Sequence, residues 1–147
     1  RGTIKFAVNY PEKFSAAAFL SAAPMDMSEI GPEHPFPLFN TTNERMRNVL
    51  ENAGGKEAFL NSNENVWQII NELAPTGRLP RLMFACGEDD TLIYSAYKNF
   101  QKYAKSIGLE AEWFELPGYQ HEWRFWDIAI EKALDFFGLP KQGGNRY

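Results

Sequence analysis

The stretch Tyr119-Gln120-His121-Glu122-Trp123 puts one of the chain's two histidines after a strand-like run and before an aromatic-rich helix. A histidine so placed serves as a general base when one ring nitrogen faces a nucleophile and an acceptor fixes the other. An earlier strand-like run ends in Cys86-Gly87-Glu88-Asp89-Asp90 and offers that acceptor. A carboxylate there sets the imidazole tautomer and stabilises the imidazolium that forms. Open α/β sheets gather ligands beyond the carboxyl ends of their strands, and both Asp90 and His121 fall at such ends. The chemistry this spacing points to is hydrolysis through an activated nucleophile. Each residue also has a plainer role. His121 followed by Glu-Trp reads equally as a helix cap or an exposed loop residue, and Glu88, Asp89 and Asp90 all suit the positive end of the helix dipole that follows them. His34, among prolines with no strand before it, reads as a loop residue. No nucleophile is recognisable: Ser15, Ser21, Ser28, Ser62, Ser95 and Ser106 lack flanking glycines at a strand-to-helix elbow.

Positioning two side chains at neighbouring strand ends needs a sheet with crossover helices, and the pattern after Pro80 supplies one. It predicts a strand over 81–86, a helix over about 93–106, a strand over 111–116 and a helix over 123–137. The helices carry apolar stripes at 3.6-residue spacing, Tyr94, Tyr97, Phe100, Tyr103 and Ala104 in the first, Phe125, Ile128, Ala129, Ala133 and Phe136 in the second, as crossovers on a mainly parallel sheet require. Gly108 and Gly138 stop them. Upstream, Ile4, Phe6, Ala7 and Val8 predict a helix that Pro11 ends, since the proline ring clashes with the preceding turn. The small apolar run 16–23 predicts a buried strand. Between about 25 and 80, Pro32, Pro35 and Pro37 crowd a loop, and two helices, 43–52 and 64–73, read as a surface insertion broken by Gly54-Gly55 and Pro75. The organisation is one α/β unit over 1–140 with that insertion, followed by a flexible tail over 141–147.

Composition narrows the partners. The 147 residues are 44% hydrophobic, enough for an ordinary core, with a net charge of -4 from 15 basic and 19 acidic side chains. No basic cluster tracks a phosphate backbone, so nucleic acid is not expected as a partner. No apolar run approaches the roughly 20 residues that span a bilayer, so no membrane association is expected either. Cys86 is the only cysteine, which excludes an internal disulfide and a cysteine-based zinc site. No metal or other cofactor is expected, and the compartment stays open between cytoplasmic and secreted.

Acid before histidine, each after its own strand, is the chain order of the α/β-hydrolases. Three stretches, Tyr10-Pro11-Glu12-Lys13-Phe14 with the small-residue strand after it, Cys86-Gly87-Glu88-Asp89-Asp90-Thr91-Leu92, and His121-Glu122-Trp123-Arg124-Phe125-Trp126-Asp127, resemble the C-terminal portion of the esterase D-like carboxylesterases. That group contains tributyrin and acetyl esterases, feruloyl and acetyl-xylan esterases, and S-formylglutathione hydrolases. The resemblance implies the C-terminal part of an α/β-hydrolase fold and serine-dependent hydrolysis of short-chain or aromatic carboxylic esters, small or polysaccharide-linked. It implies Asp90 as the acid, with Asp89 as runner-up, His121 as the base and Trp123 at the rim of the substrate site; Trp126, which faces the buried stripe of its helix, is expected in the core. It also implies a Gly-x-Ser-x-Gly-Gly elbow a few residues upstream of Arg1, with the oxyanion donors, so residues 1–147 alone are expected to be inactive. Without the strands that precede it, the Ala16 to Ser21 strand has an open, apolar edge, to be covered by the upstream half of the domain or by a second copy in a dimer. Phe36, Phe39, Phe59 and Trp67 of the insertion are expected either to shape an acyl pocket or to pack. Two rival readings remain: a non-catalytic carbohydrate- or partner-binding module that kept the fold, and a receiver-like domain in which Asp89 and Asp90 hold Mg²⁺.

Overall fold

The computed structural model describes residues 2–34 and 39–139; the expectations for Phe36 and for the tail over 141–147 lie outside them. Helix α1 (Gly2–Asn9) buries Ile4, Ala7 and Val8, whose spacing of three, four and one puts them on one side. Pro11 then turns the chain through a single 3-10 turn, Pro11–Lys13, and it enters strand β1 (Ala16–Leu20).

Strands β1, β2 (Arg81–Gly87) and β3 (Glu112–Leu116) form one parallel sheet in that spatial order. Side chains alternate between its faces. Ala17, Phe19, Leu82, Phe84 and Cys86 join one core cluster, while Ala18, Leu20, Met83 and Ala85 belong to the other. The central strand β2 is buried on both faces from Leu82 onward, which is why it reads as an unbroken apolar run and not as an alternating one. On the first face Phe84 sits among Phe19, Phe100 and Trp113, with ring centroids 4.8, 5.1 and 4.9 Å away. Full burial of a side chain this size contributes about 1.5–3 kcal/mol.

Helix α5 (Tyr94–Ser106) joins β2 to β3 and buries Tyr97, Phe100 and Ala104 against the first face. Helix α6 (Trp123–Phe137) buries Phe125, Ala129 and Ala133 against the second. Helices on both faces of a parallel sheet make this a layered α/β structure. Gly138 ends α6 in the left-handed conformation (φ 70°), where a side chain would be strained.

The region between β1 and β2 departs from its sequence reading. It holds three helices, α2 (Glu44–Asn52), α3 (Lys56–Leu60) and α4 (Val66–Leu73). Gly54 and Gly55, both at positive φ, turn α2 directly into α3, so the glycine pair is a tight interhelical joint and not the end of helical structure. Ile30, Met46, Leu50 and Phe59 form a small core of their own there. Helix α4 is not a surface helix: its apolar stripe needs a partner, and it buries Ile70 in the main core with Ile4 and Val8 of α1. Lys5 and Glu64 pair across the same junction. Trp67 stacks on Tyr103 (4.2 Å) and stands edge-on to Phe100 (5.4 Å), while Phe59 and Phe39 pack in the smaller cluster. These three aromatics pack.

Candidate active site

Because the strands are parallel, β2 and β3 end at the same edge of the sheet, with Gly87 opposite Leu116. The two loops that leave this edge are stitched together. The Glu88 amide donates to the Leu116 carbonyl (2.9 Å) and the Asp89 amide to the Tyr119 carbonyl (3.0 Å). Gly87 permits the approach, since a β-carbon there would lie 2.3 Å from the Tyr119 oxygen. Backbone meets backbone at this point, so no flexible side chain can yield. Gly87→Ala is therefore expected to cost about 1–3 kcal/mol in urea denaturation and to displace the His121 ring two residues on, seen as altered ring ¹⁵N shifts. An alanine variant with unchanged shifts and midpoint would show that the loops tolerate separation.

Asp90 lies between the loops, fully buried, and both of its oxygens are engaged. Oδ1 accepts from the amides of Leu92 (3.0 Å) and Ile93 (3.1 Å), which holds the turn that leads into α5. Oδ2 stands 2.8 Å from His121 Nδ1 and takes a weak, long bond from the Cys86 thiol at 3.9 Å. A carboxylate only accepts, so Nδ1 carries the hydrogen in this contact, and in the neutral imidazole the lone pair is then on Nε2. The His121 side chain is 37% exposed, and among the described residues Nε2 has no hydrogen-bond partner. Glu88 and Asp89 are exposed, and neither pairs with His121. His34 packs against the Phe39 ring in the excursion (4.9 Å).

Burial, with the charges of Asp90 and Glu115 nearby, pushes the Cys86 thiol up to about 12. Reactivity belongs to the thiolate. The native protein is expected to leave Cys86 unlabelled by a disulfide reagent at neutral pH, and to release one thiol equivalent once unfolded in guanidinium; rapid native labelling would contradict the closed environment described here.

Two residues enter the site that sequence reasoning had set aside. Trp126 packs half-buried against the second core cluster, as its place on the helix stripe suggests, and it also reaches the site. Its Nε1 donates to Ser21 Oγ at 2.9 Å, and its ring meets His121 at 5.1 Å and 89° and Trp123 at 4.9 Å and 82°. Its place one helical turn after Trp123 was the available signal. Ser21, at the carboxyl end of β1, is buried with φ 45°, and it is the one non-glycine residue at positive φ among the described residues. No helix begins at Ser21 and its hydroxyl is engaged by Trp126, so it lacks the strand-to-helix elbow of a hydrolase nucleophile. Trp123 is 75% exposed at the start of α6. Among the described residues no three His, Cys, Asp or Glu side chains converge as a metal site requires.

The site lies open. Two clefts lie elsewhere: one of about 450 Å³ along β1, lined by Phe6, Phe14, Ala16, Ala18 and Phe137 among others, and one of about 530 Å³ at the opposite end of the sheet, near Leu82, Gly108 and Glu112. Neither touches Asp90 or His121. Among the described residues β1 pairs only with β2, leaving its outer edge without a strand.

The three-stranded parallel sheet with helices on both faces matches part of the fold of α/β hydrolases. Solved structures share it. Over 92% of this chain, the fluorophosphonate-binding serine hydrolase F (FphF) of Staphylococcus aureus, solved with substrate bound, superimposes with a TM-score of 0.65 at 23% identity. S-formylglutathione hydrolase (FrmB) from Staphylococcus aureus, solved as the apoenzyme, superimposes over 92% with a TM-score of 0.61 at 24% identity. The chain covers 49% and 45% of those proteins, so it spans about half their length. No family model and no curated protein sequence matches.

Proposed function

We propose that this chain is the C-terminal part of a serine hydrolase acting on carboxylic esters, with His121 as general base and Asp90 as its orienting acid. The observation that carries the reading is the 2.8 Å contact between His121 Nδ1 and a fully buried carboxylate at the carboxyl ends of adjacent parallel strands. In this reading Nε2 removes the proton from a serine hydroxyl as its oxygen attacks the ester carbonyl. The imidazolium, stabilised by Asp90, then returns that proton to the leaving alcohol as the C–O bond breaks, leaving an acyl-serine. Water, deprotonated by the same Nε2, attacks the acyl carbonyl; the acid is released and the serine regains its proton. The exposed Trp123 ring stands at the rim, against the acyl or leaving group of a short-chain or aromatic ester.

The serine and its oxyanion donors belong, in this proposal, to an upstream segment of the same polypeptide. Its support is the half-length match to two serine hydrolases and the apolar cleft beside the free edge of β1, where further parallel strands would pair and where Phe6 and Phe14 stand exposed. A fluorophosphonate probe incubated with the intact protein is expected to modify one serine, located by peptide mass spectrometry before residue 1. Failure to label, or labelling of a serine within residues 1–147, would falsify this assignment.

A further inference from the structure

We infer that Ser21 and Trp126 form a second restraint on His121, so that the hydroxyl at the end of β1 sets the plane of the imidazole through the indole between them. The inference deepens the reading of His121 as the base and rests on it. A hydrogen bond from Nδ1 to Asp90 Oδ2 fixes one ring atom but leaves the ring free to rock about that bond. The Trp126 ring, meeting the imidazole at 89° with centroids 5.1 Å apart, opposes the rocking only if it is itself held. Its anchor is the 2.9 Å bond from Nε1 to Ser21 Oγ. Ser21 is anchored in turn: its amide donates to the Ala85 carbonyl on β2 (2.8 Å), so the restraint ends in the sheet and not in a loop.

The backbone of Ser21 makes the case for the hydroxyl. At φ 45° the position lies in the left-handed region, where glycine is the unstrained choice. Only the side chain distinguishes serine from glycine there, and among the described residues the one side-chain partner of that hydroxyl is Trp126. Strain retained beside a candidate base is a signature of positioning. Trp126 is thus a positioning residue, acting on the substrate only through His121.

Because glycine fits the backbone at 21, Ser21→Gly removes the hydroxyl without threatening the fold, and Trp126→Phe removes the N–H while keeping an aromatic ring. The readout on the chain itself is the exchange of the His121 Nδ1 proton with water in ¹⁵N-histidine NMR, with His34 as internal reference. Both variants are expected to speed that exchange several-fold while the melting temperature of Ser21→Gly stays level or rises. In the intact protein each is expected to lower kcat on p-nitrophenyl acetate by about 10- to 100-fold at constant KM, the cost of a base set slightly out of line, and the double variant should fall no further than Trp126→Phe. A Ser21→Gly protein whose His121 exchange is unchanged overturns the restraint, whatever its activity. Faster exchange in a protein that hydrolyses no ester upholds the restraint and counts instead against the proposed reaction.

Discussion

His121→Ala in the intact protein is expected to lower kcat for p-nitrophenyl acetate by about a millionfold, as removal of the base does in serine hydrolases generally, with KM little changed. The expectation follows from what alanine leaves behind. Without Nε2 nothing deprotonates the serine during attack, and oxyanion donors alone retain only a small part of the rate enhancement. The fold should survive. His121 belongs to no helix or strand and its side chain is partly exposed, so the main structural loss is one partner of Asp90 Oδ2, worth about 1–3 kcal/mol if water fails to replace it. Urea denaturation of the variant separates that cost from the chemical one. His34→Ala serves as the control, since that residue packs on Phe39 in the excursion. A His121→Ala enzyme within tenfold of wild type would remove the base from the mechanism.

Much of the architecture is legible in the sequence because the residues that build it obey local rules. The stripe Tyr97, Phe100, Ala104 and the stripe Phe125, Ala129, Ala133 repeat with the helix, and both are buried. The run 82–86 is apolar at every position and is buried on both faces, as a central parallel strand must be. What misled was punctuation. Gly54-Gly55 carries the signal that ends a helix, and it does end α2, but the chain can resume helical geometry at once, and α3 begins at Lys56. Prolines around residues 32–37 suggested that everything up to Pro80 lies outside the core, whereas Ile70 is fully buried beside α1. Proline density reports on the local backbone, while the destination of an apolar stripe is decided by whichever face is uncovered, and here that face belongs to α1, which precedes the segment in the chain.

The site divides the same way. Asp90 and His121 were legible because strand ends are legible, and loops leaving neighbouring parallel strands must emerge at one edge. The choice among Glu88, Asp89 and Asp90 was not, since all three suit a helix N-terminus. Burial distinguishes them: only Asp90 turns inward, and it does so because one carboxylate oxygen holds the amides of Leu92 and Ile93. Holding the turn before α5 and aiming the other oxygen at His121 are therefore one geometry. Ser21 and Trp126 left little trace in the sequence. A left-handed serine has no compositional signature, and an indole bonded across 105 residues is invisible to any local pattern.

That double duty makes Asp90→Asn the sharpest substitution in the molecule. Aspartate offers an acceptor on each side; asparagine of the same shape offers only one. If its oxygen stays on the amides of Leu92 and Ile93, the NH₂ faces Nδ1, two donors cannot meet, and the imidazole must take the other tautomer with its hydrogen on Nε2. The base is then blocked, and kcat is expected to fall about 10⁴-fold with the urea midpoint nearly unchanged. If the amide flips, His121 keeps its acceptor but the amides of Leu92 and Ile93 in the turn before α5 face an NH₂ and lose theirs, at a cost of about 1–3 kcal/mol in stability. The buried thiol of Cys86, a donor on the same side, opposes an NH₂ there as well, but its contact is long and weak. Two amides at 3.0 and 3.1 Å outweigh one partly exposed histidine, so the first outcome is the expected one. Long-range ¹⁵N correlation of the His121 ring reads the tautomer directly and should show the hydrogen moved from Nδ1 to Nε2. An Asn variant that kept wild-type rate, stability and tautomer together would mean that Asp90 neither holds the turn before α5 nor orients His121.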